Sequence, residues 1–199
     1  MHSLTENEAK IVDFLIRNFN ERNSINEIGR RLKISHTGAH KILRKLEKVK
    51  AVKPERIGNA IYYKANLDNE LGLKLAEYVL AQNELIAYAK VQADDLKPLQ
   101  SLASSCILFG SVLSKGRGAG DIDVMLVVEE KDFKKLNKKL EEIKEISPKK
   151  IHDVMQSKED LAKNIGKNDE VMLDIIKNGR IIWGSEVIVE AIKNGAYRE

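Results

Sequence analysis

Residues 106–128 read CILFGSVLSKGRGAGDIDVMLVV. The apolar run 106–109 breaks at Gly110-Ser111, and nine residues separate Ser111 from Asp121. This predicts a short buried strand, a glycine-rich turn, and a second strand that opens on Asp121-Ile122-Asp123 and continues as the apolar run 124–128. Strand side chains alternate, so Asp121 and Asp123 project to one face while Ile122 points into the core. Two carboxylates forced onto one face repel each other, and a divalent cation that prefers oxygen ligands, Mg2+ above all, offsets that repulsion. Gly110 lets the backbone approach a ligand closely, and Ser111 offers a hydroxyl and an N–H to a phosphate. The plain alternative is two surface aspartates at a strand start behind a glycine loop.

Downstream, residues 131–146 predict a charged helix with Phe133, Leu136, Leu140 and Ile143 on one side. Ser147-Pro148 ends it, and 150–155 reads as a further strand carrying His152 and Asp153. Residues 157–160 cap another helix, and NDEVMLDIIKNGRIIWGSE then reads as helix, glycine stop, strand and turn. Trp183 falls among apolar strand neighbours, which places it in the core ahead of stacking on a base. Asp174 falls inside a helix and reads as solvated.

Gly-Ser, nine residues, then Asp-x-Asp resembles the signature of the polymerase β-like nucleotidyltransferase superfamily, and most closely its minimal nucleotidyltransferases. The resemblance extends over about residues 94–184. It implies a short helix before the first strand, which 95–103 fits, and a basic residue followed by glycine soon after Gly-Ser, which Lys115-Gly116 matches one place late. Gly120 stands where the family usually has Ser. The resemblance further implies two Mg2+ ions held by Asp121 and Asp123, with Asp153 the natural candidate for the family's third carboxylate. A solvated strand-edge role for Asp153 is the alternative. Gly110, Ser111, and Lys115 or Arg117 are implied to bind the nucleotide phosphates. One metal would lower the pKa of an acceptor hydroxyl and the other would stabilise leaving pyrophosphate. ATP is the default donor by family habit, since no residue here reads the base.

Residues 1–66 carry 14 Lys and Arg against 7 Asp and Glu, a local charge of +7, while the remainder is at -3. A basic first third suggests a separate module that meets nucleic acid. Thr5 and Glu8 have capping-box spacing before the helical stripe Ile11, Val12, Leu15, Ile16 and Phe19. Ser24 and Glu27 repeat the signal before INEIGRRL, and Ser35 caps a third helix, HTGAHKILRKLEKVK. Its inward stripe is Ala39, Leu43, Leu46 and Val49 or Ile42. Thr37, Lys41, Arg44 and Lys48 fall on the outward stripe, with His40 and Lys45 beside it. AVKPERIGNAIYYKAN then predicts a hairpin turning at 56–59. His36 and His40 have a metal-capable spacing, yet no Cys or carboxylate stands nearby, so DNA-facing or solvated roles are preferred.

Three helices followed by a basic hairpin resemble the winged helix-turn-helix domain of transcription regulators, over about residues 4–66. The resemblance makes the helix from Ser35 the recognition helix for the major groove and Arg56 a wing residue. Residues 68–92 predict one long amphipathic helix with Leu71, Leu75, Tyr78 or Val79, Gln82, Leu85 or Ile86, and Ala89 on one stripe. That stripe either pairs with a second copy in a homodimer or packs on its own chain.

The expected fold class is therefore α+β in two domains: an N-terminal winged helix-turn-helix (1–67), a linking or dimerisation helix (68–92) and a small mixed-sheet nucleotidyltransferase domain (93–199). The single Cys106 excludes an intramolecular disulfide and a Cys-based zinc cluster. No apolar run approaches the roughly 20 residues that span a bilayer. The polar start MHSLTENEAK is unlike a secretory signal, so a cytoplasmic protein with no membrane partner is expected. The expected activity is Mg2+-dependent transfer of a nucleoside monophosphate from an NTP to a hydroxyl acceptor, coupled to binding of double-stranded DNA. Two alternatives stay open: a regulator whose second domain only senses nucleotide, and an antitoxin that nucleotidylates a partner toxin, which would make a protein the acceptor.

Overall fold

The computed structural model describes residues 4–82 and 84–197. The chain divides into two compact units, Met1–Leu80 and Ala81–Glu199, in a mixed α+β fold with two small sheets. Among the described residues no helix is long and apolar enough to cross a membrane.

The first unit begins with α1 (Glu6–Arg17), and Thr5 caps it as the spacing predicts. Glu8 N donates to Thr5 Oγ1 at 3.3 Å and Thr5 N donates to Glu8 Oε2 at 2.9 Å, so two orphan N–H groups find partners at once. A short strand β1 (Asn23–Ser24) leads into α2 (Ile25–Leu32) and α3 (His36–Lys48), capped by Ser24 and Ser35. Ile11, Leu15, Ile16, Ile28, Ala39, Leu43 and Leu46 are buried. On α3 the inward stripe stops at Leu46, because Val49 is 45% exposed.

Strands β2 (Val52–Ile57) and β3 (Ala60–Ala65) form the hairpin, and β1 pairs with the free edge of β3. The hairpin turns more tightly than the sequence suggests. Arg56 and Ile57 are still paired, opposite Ile61 and Ala60, so only Gly58-Asn59 remain as the loop. Gly58 takes a φ of 60° and Asn59 does not share a positive φ, the pattern of a type II′ turn whose twist matches the flanking strands.

The expected continuous helix over 68–92 is two helices, α4 (Glu70–Ala81) and α5 (Ala87–Asp95). Asn83, inside the expected span, lies outside the described residues. Leu80 of α4 and Ala89 of α5 are both buried, the one in the first unit and the other in the second. Within α4, Gly72, Ala76, Val79 and Leu80 face inward, while Leu71 and Tyr78 of the expected stripe are exposed.

The expected short helix at 95–103 is also displaced. Asp95 ends α5, Lys97–Leu99 makes only a 3-10 turn around Pro98, and Ala103 already belongs to β4 (Ala103–Phe109). A proline has no N–H to continue an α-helix from within, which suits it to a short turn. The second unit continues through α6 (Val112–Lys115), β5 (Asp121–Val128), α7 (Phe133–Ile146), β6 (Lys150–Gln156), α8 (Lys158–Gly166), α9 (Glu170–Asn178), β7 (Arg180–Trp183) and α10 (Ser185–Ala196).

The four-stranded sheet has the order β6-β5-β4-β7, with β5 and β6 parallel and the other pairs antiparallel. On one face Cys106, Leu108, Ile122, Val124, Leu126 and Ile151 pack with Leu136, Leu140 and Ile143 of α7 and Ala89 of α5. Phe133, expected on that apolar side, is instead 47% exposed at the first position of α7. The other face, carrying Ile107, Met125, Val127 and Ile181, is met by α8, α9 and α10. Trp183 belongs to the core cluster as a partly buried member, and its Nε1 donates to Ala103 O at 2.9 Å.

Candidate metal centre and nucleic-acid face

Asp121 and Asp123 open β5 and are both half-buried, whereas Ile122 between them is buried at 1% exposure. The pleat therefore turns both carboxylates to one face, as the sequence predicts. In the parallel register Asp123 stands opposite His152 of β6, and Val124 stands opposite Asp153. His152 Nδ1 lies 3.4 Å from Asp121 Oδ2 and 3.6 Å from Asp123 Oδ1. Ligand atoms of all three residues lie within 4.8 Å of one another, the one such cluster of His, Cys, Asp and Glu among the described residues.

Asp153 does not join them. Adjacent strand residues face opposite ways, so the register that brings in His152 sends Asp153 to the face of α7. There its Oδ1 meets Lys144 Nζ at 2.7 Å. Partial burial of Lys144 works against its charge, but hydrogen bonds to Asp153 and Glu141 outweigh this and raise its pKa. The expected third carboxylate is thus engaged elsewhere, and the residue brought to the site is His152, a strand residue to which the sequence assigns no role. Ile151 is the buried β6 position, so the period of two puts Asp153 on its core face and the adjacent His152 on the face of the carboxylates.

Burial raises the pKa of Asp123 first, and the neighbouring charge of Asp121 raises it further; His152 offsets only part of this. The electrostatic cost inferred from the Asp-x-Asp spacing is therefore present at the site.

Gly110 has a φ of 73°, and a Cβ placed on it would overlap the Asp123 carboxylate. Here glycine serves the site: the chain reverses direction directly beside a carboxylate that needs the space. Ser111 precedes α6, and its carbonyl accepts from Lys115 N at 2.8 Å and Ser114 N at 3.2 Å. Lys115, the last residue of α6, and Arg117, in the turn and loop that follow, are exposed. Lys149, which the sequence did not single out, holds that loop to the start of β6. Its Nζ donates to Arg117 O at 3.0 Å and also to Ala119 O. A lysine just after Ser147-Pro148 has no sequence signal for this role, because both acceptors are main-chain carbonyls some 30 residues away.

In the first unit, Thr37, His40, Lys41, Arg44 and Lys48 of α3 and Arg56 of β2 are all exposed. Arg44 Nη1 donates to Glu47 Oε2 at 3.1 Å across one helical turn. Lys45, expected beside the outward stripe, turns to α1 and bonds Glu8 Oε1 at 2.5 Å. His36 and His40 are exposed and take no part in the three-ligand cluster. The face so formed is basic, with donors spaced along one side of a helix.

The chain matches no protein-family profile and none of the curated proteins compared with it. Among solved structures it is similar to a mutant of Lactococcus lactis ZitR, at 19% identity and a TM-score of 0.34, over 50% of this chain. The match spans 62% of that protein's length.

Proposed function

We propose that the chain is a divalent-metal-dependent nucleotidyltransferase of the polymerase β-like kind, joined to a winged helix-turn-helix unit that binds double-stranded DNA as a homodimer. The observation that carries the enzymatic half is the convergence of Asp121, Asp123 and His152 beside the Gly110-Ser111 turn. Neither aspartate has a Lys or Arg ion pair among the described residues, so the site's negative charge suits a bound cation such as Mg2+. Held by Asp121 and Asp123, such ions supply neutralisation of the triphosphate and a lower pKa for the acceptor hydroxyl.

The chain's own residues do the positioning. Gly110 leaves room for the Asp123 carboxylate beside the turn, and Ser111 offers its hydroxyl to a phosphate. Lys115 and Arg117 supply exposed cations for the β- and γ-phosphates of ATP, the donor to test first. Transfer joins the acceptor oxygen to the α-phosphorus and breaks the bond between the α-phosphorus and the β-phosphate; pyrophosphate leaves and the hydroxyl proton passes to water. Asp153 has no part in this scheme.

The test is incubation with each α-labelled NTP, Mg2+ and host lysate, followed by identification of what becomes labelled. Label on one acceptor, lost in Asp121→Asn, is the expected result, and a labelled protein would reveal a protein acceptor. Wild-type transfer by the variant, or no label with any NTP, refutes the enzymatic half.

The DNA-binding half rests on the exposed side of α3. Thr37, His40, Lys41, Arg44 and Lys48 present donors to base edges and phosphates, and Arg56 adds a cation on the hairpin. Two copies related by a two-fold axis would read half-sites about 10–10.5 base pairs apart. Leu71 and Tyr78, exposed on α4, are apolar positions available to such pairing. Fluorescence anisotropy on genomic fragments at several salt concentrations tests this; binding no stronger than that of an acidic control protein at low salt refutes it. A regulatory reading, in which the second unit binds an NTP without transferring it, is favoured by the capture of Asp153 by Lys144. An NTP-dependent change in DNA affinity with no labelled product selects that reading.

A further inference from the structure

We infer that His152 is the third metal ligand of the Asp121–Asp123 site, and that this mixed set binds a first-row transition-metal ion in preference to Mg2+. The inference deepens the proposed metal site and rests on it. Three observations carry it. The first is register: β5 and β6 run parallel with His152 opposite Asp123, so the imidazole and both carboxylates share one face of the sheet. The second is aim. The same ring atom, Nδ1, lies 3.4 Å from one carboxylate and 3.6 Å from the other. Two donors about 2.1 Å from a common ion stand roughly 3 Å apart at octahedral angles and roughly 3.5 Å apart at tetrahedral ones. The observed separations lie close to those values, so a small closure brings the imidazole and both carboxylates onto one ion.

The third observation is the absence of an oxygen alternative at that strand position. Asp153, the adjacent acid, faces α7 and holds Lys144 at 2.7 Å. An acidic residue in the position of His152 would give an all-oxygen set suited to Mg2+. An imidazole replaces one hard donor with a softer nitrogen, and nitrogen shifts preference along the series toward Mn2+, Co2+ and Zn2+. His152 is 46% exposed at its side chain, so it is not held there by the packing of a core.

The experiment uses the full chain without nucleotide and with Mn2+ as the probe. Mn2+ binding is followed by the loss of the free-ion electron paramagnetic resonance signal, Mg2+ is added in competition, and pulsed spectra are searched for coupling to a directly bound 14N. The wild-type chain is expected to show 14N coupling and to bind Mn2+ at least about tenfold more tightly than Mg2+. His152→Ala is expected to lose the 14N coupling and weaken Mn2+ by about tenfold, with Mg2+ affinity changed far less. His152→Asp tests selectivity against mere structure: it restores three carboxylates and should move the preference back toward Mg2+. Circular dichroism melts confirm that each variant is folded.

Absence of 14N coupling in Mn2+-loaded wild-type protein overturns the inference. So does an unchanged Mn2+ to Mg2+ preference in both variants, or no Mn2+ binding at all. The result is separable from that of the transfer assay. A chain that binds Mn2+ through 14N but labels no acceptor keeps the ligand assignment and loses the enzymatic reading. A chain that transfers nucleotide without 14N coupling does the reverse.

Discussion

Replacing Gly110 by alanine tests the local geometry on which the candidate site depends. Gly110 has a φ of 73°, and the added Cβ would overlap the carboxylate of Asp123. An L-residue in the left-handed region costs about 1–2 kcal/mol. Alanine also stiffens the unfolded chain, which returns roughly 0.4–1 kcal/mol. The backbone balance is therefore about 1 kcal/mol of destabilisation, or roughly 4 °C in the melting of a unit of this size. The larger effect falls on the site. Asp123 is only partly exposed, so its carboxylate must swing toward solvent and away from Asp121 and His152. Loss of one well-placed charged contact is worth about 1.5–3 kcal/mol. A dissociation constant for Mn2+ or Mg2+ raised by about 10- to 100-fold is the corresponding reading. Calorimetric melts and metal titration of the same sample separate the two effects. Gly120→Ala is the control, since Gly120 has no positive φ and its added Cβ meets nothing within 4 Å; it should melt and bind metal as the wild type does. Wild-type metal affinity in Gly110→Ala would refute the argument that this turn is glycine because the carboxylate needs its space.

Four further outcomes are expected. Glu8 is buried, a circumstance that by itself would raise its pKa, but its bonds to Lys45 and to the Thr5 N–H prevail and lower it. Its folded pKa lies below the unfolded value of about 4.3, so its contribution is complete above that pH and fades as pH falls through the folded value; denaturant melts of Glu8→Gln should show a flatter pH dependence below about pH 5, and parallel wild-type and variant curves would exclude this role. For DNA, Lys48→Ala should reduce the slope of log affinity against log salt by about 0.9, the value of one phosphate contact. Arg44→Ala should cost about 1–3 kcal/mol at one base position, provided binding releases Arg44 from Glu47; equal loss on all sequences would make it a phosphate contact instead. Asp153→Ala should leave metal affinity unchanged and lower the melting free energy by no more than about 1 kcal/mol, because it removes only a partly exposed pair with Lys144; a tenfold loss of metal affinity would return Asp153 to the site.

The residues that could be placed from sequence are those whose environment is decided by neighbours a few positions away. Thr5, Ser24 and Ser35 cap helices because the N–H groups they satisfy lie three residues on. Asp121 and Asp123 share a face because a strand has a period of two. The outward side of α3 follows from its helical period, and only Lys45 departs from it, drawn to Glu8 on a different helix, 37 residues away. The linking helix misleads for a related reason. Apolar residues continue at helical spacing from 68 to 92, so local periodicity favours one helix. The chain instead places Leu80 in one compact unit and Ala89 in the other, a division that periodicity within either helix does not mark. Lys149 could not be read at all, because its acceptors are carbonyls whose position depends on how the loop folds back.

The third site residue shows how narrow that margin is. Between His152 and Asp153 the choice depends on one register, that of β6 against β5. A slip by one residue would exchange their faces, bringing Asp153 to the aspartates and leaving His152 toward α7. What fixes the register is apolar: Ile151 sits opposite Ile122 on the α7 face, both nearly inaccessible, in a cluster with Leu140 and Ile143. A slip would drive Ile151 out of that core, at a cost of about 1.5–3 kcal/mol for one side chain alone. It would also part Asp153 from Lys144. The packing of α7 on the far face therefore dictates which donor reaches the carboxylates. The chemistry of the site is set by a hydrophobic contact on the opposite side of the sheet, where no motif search would look for it.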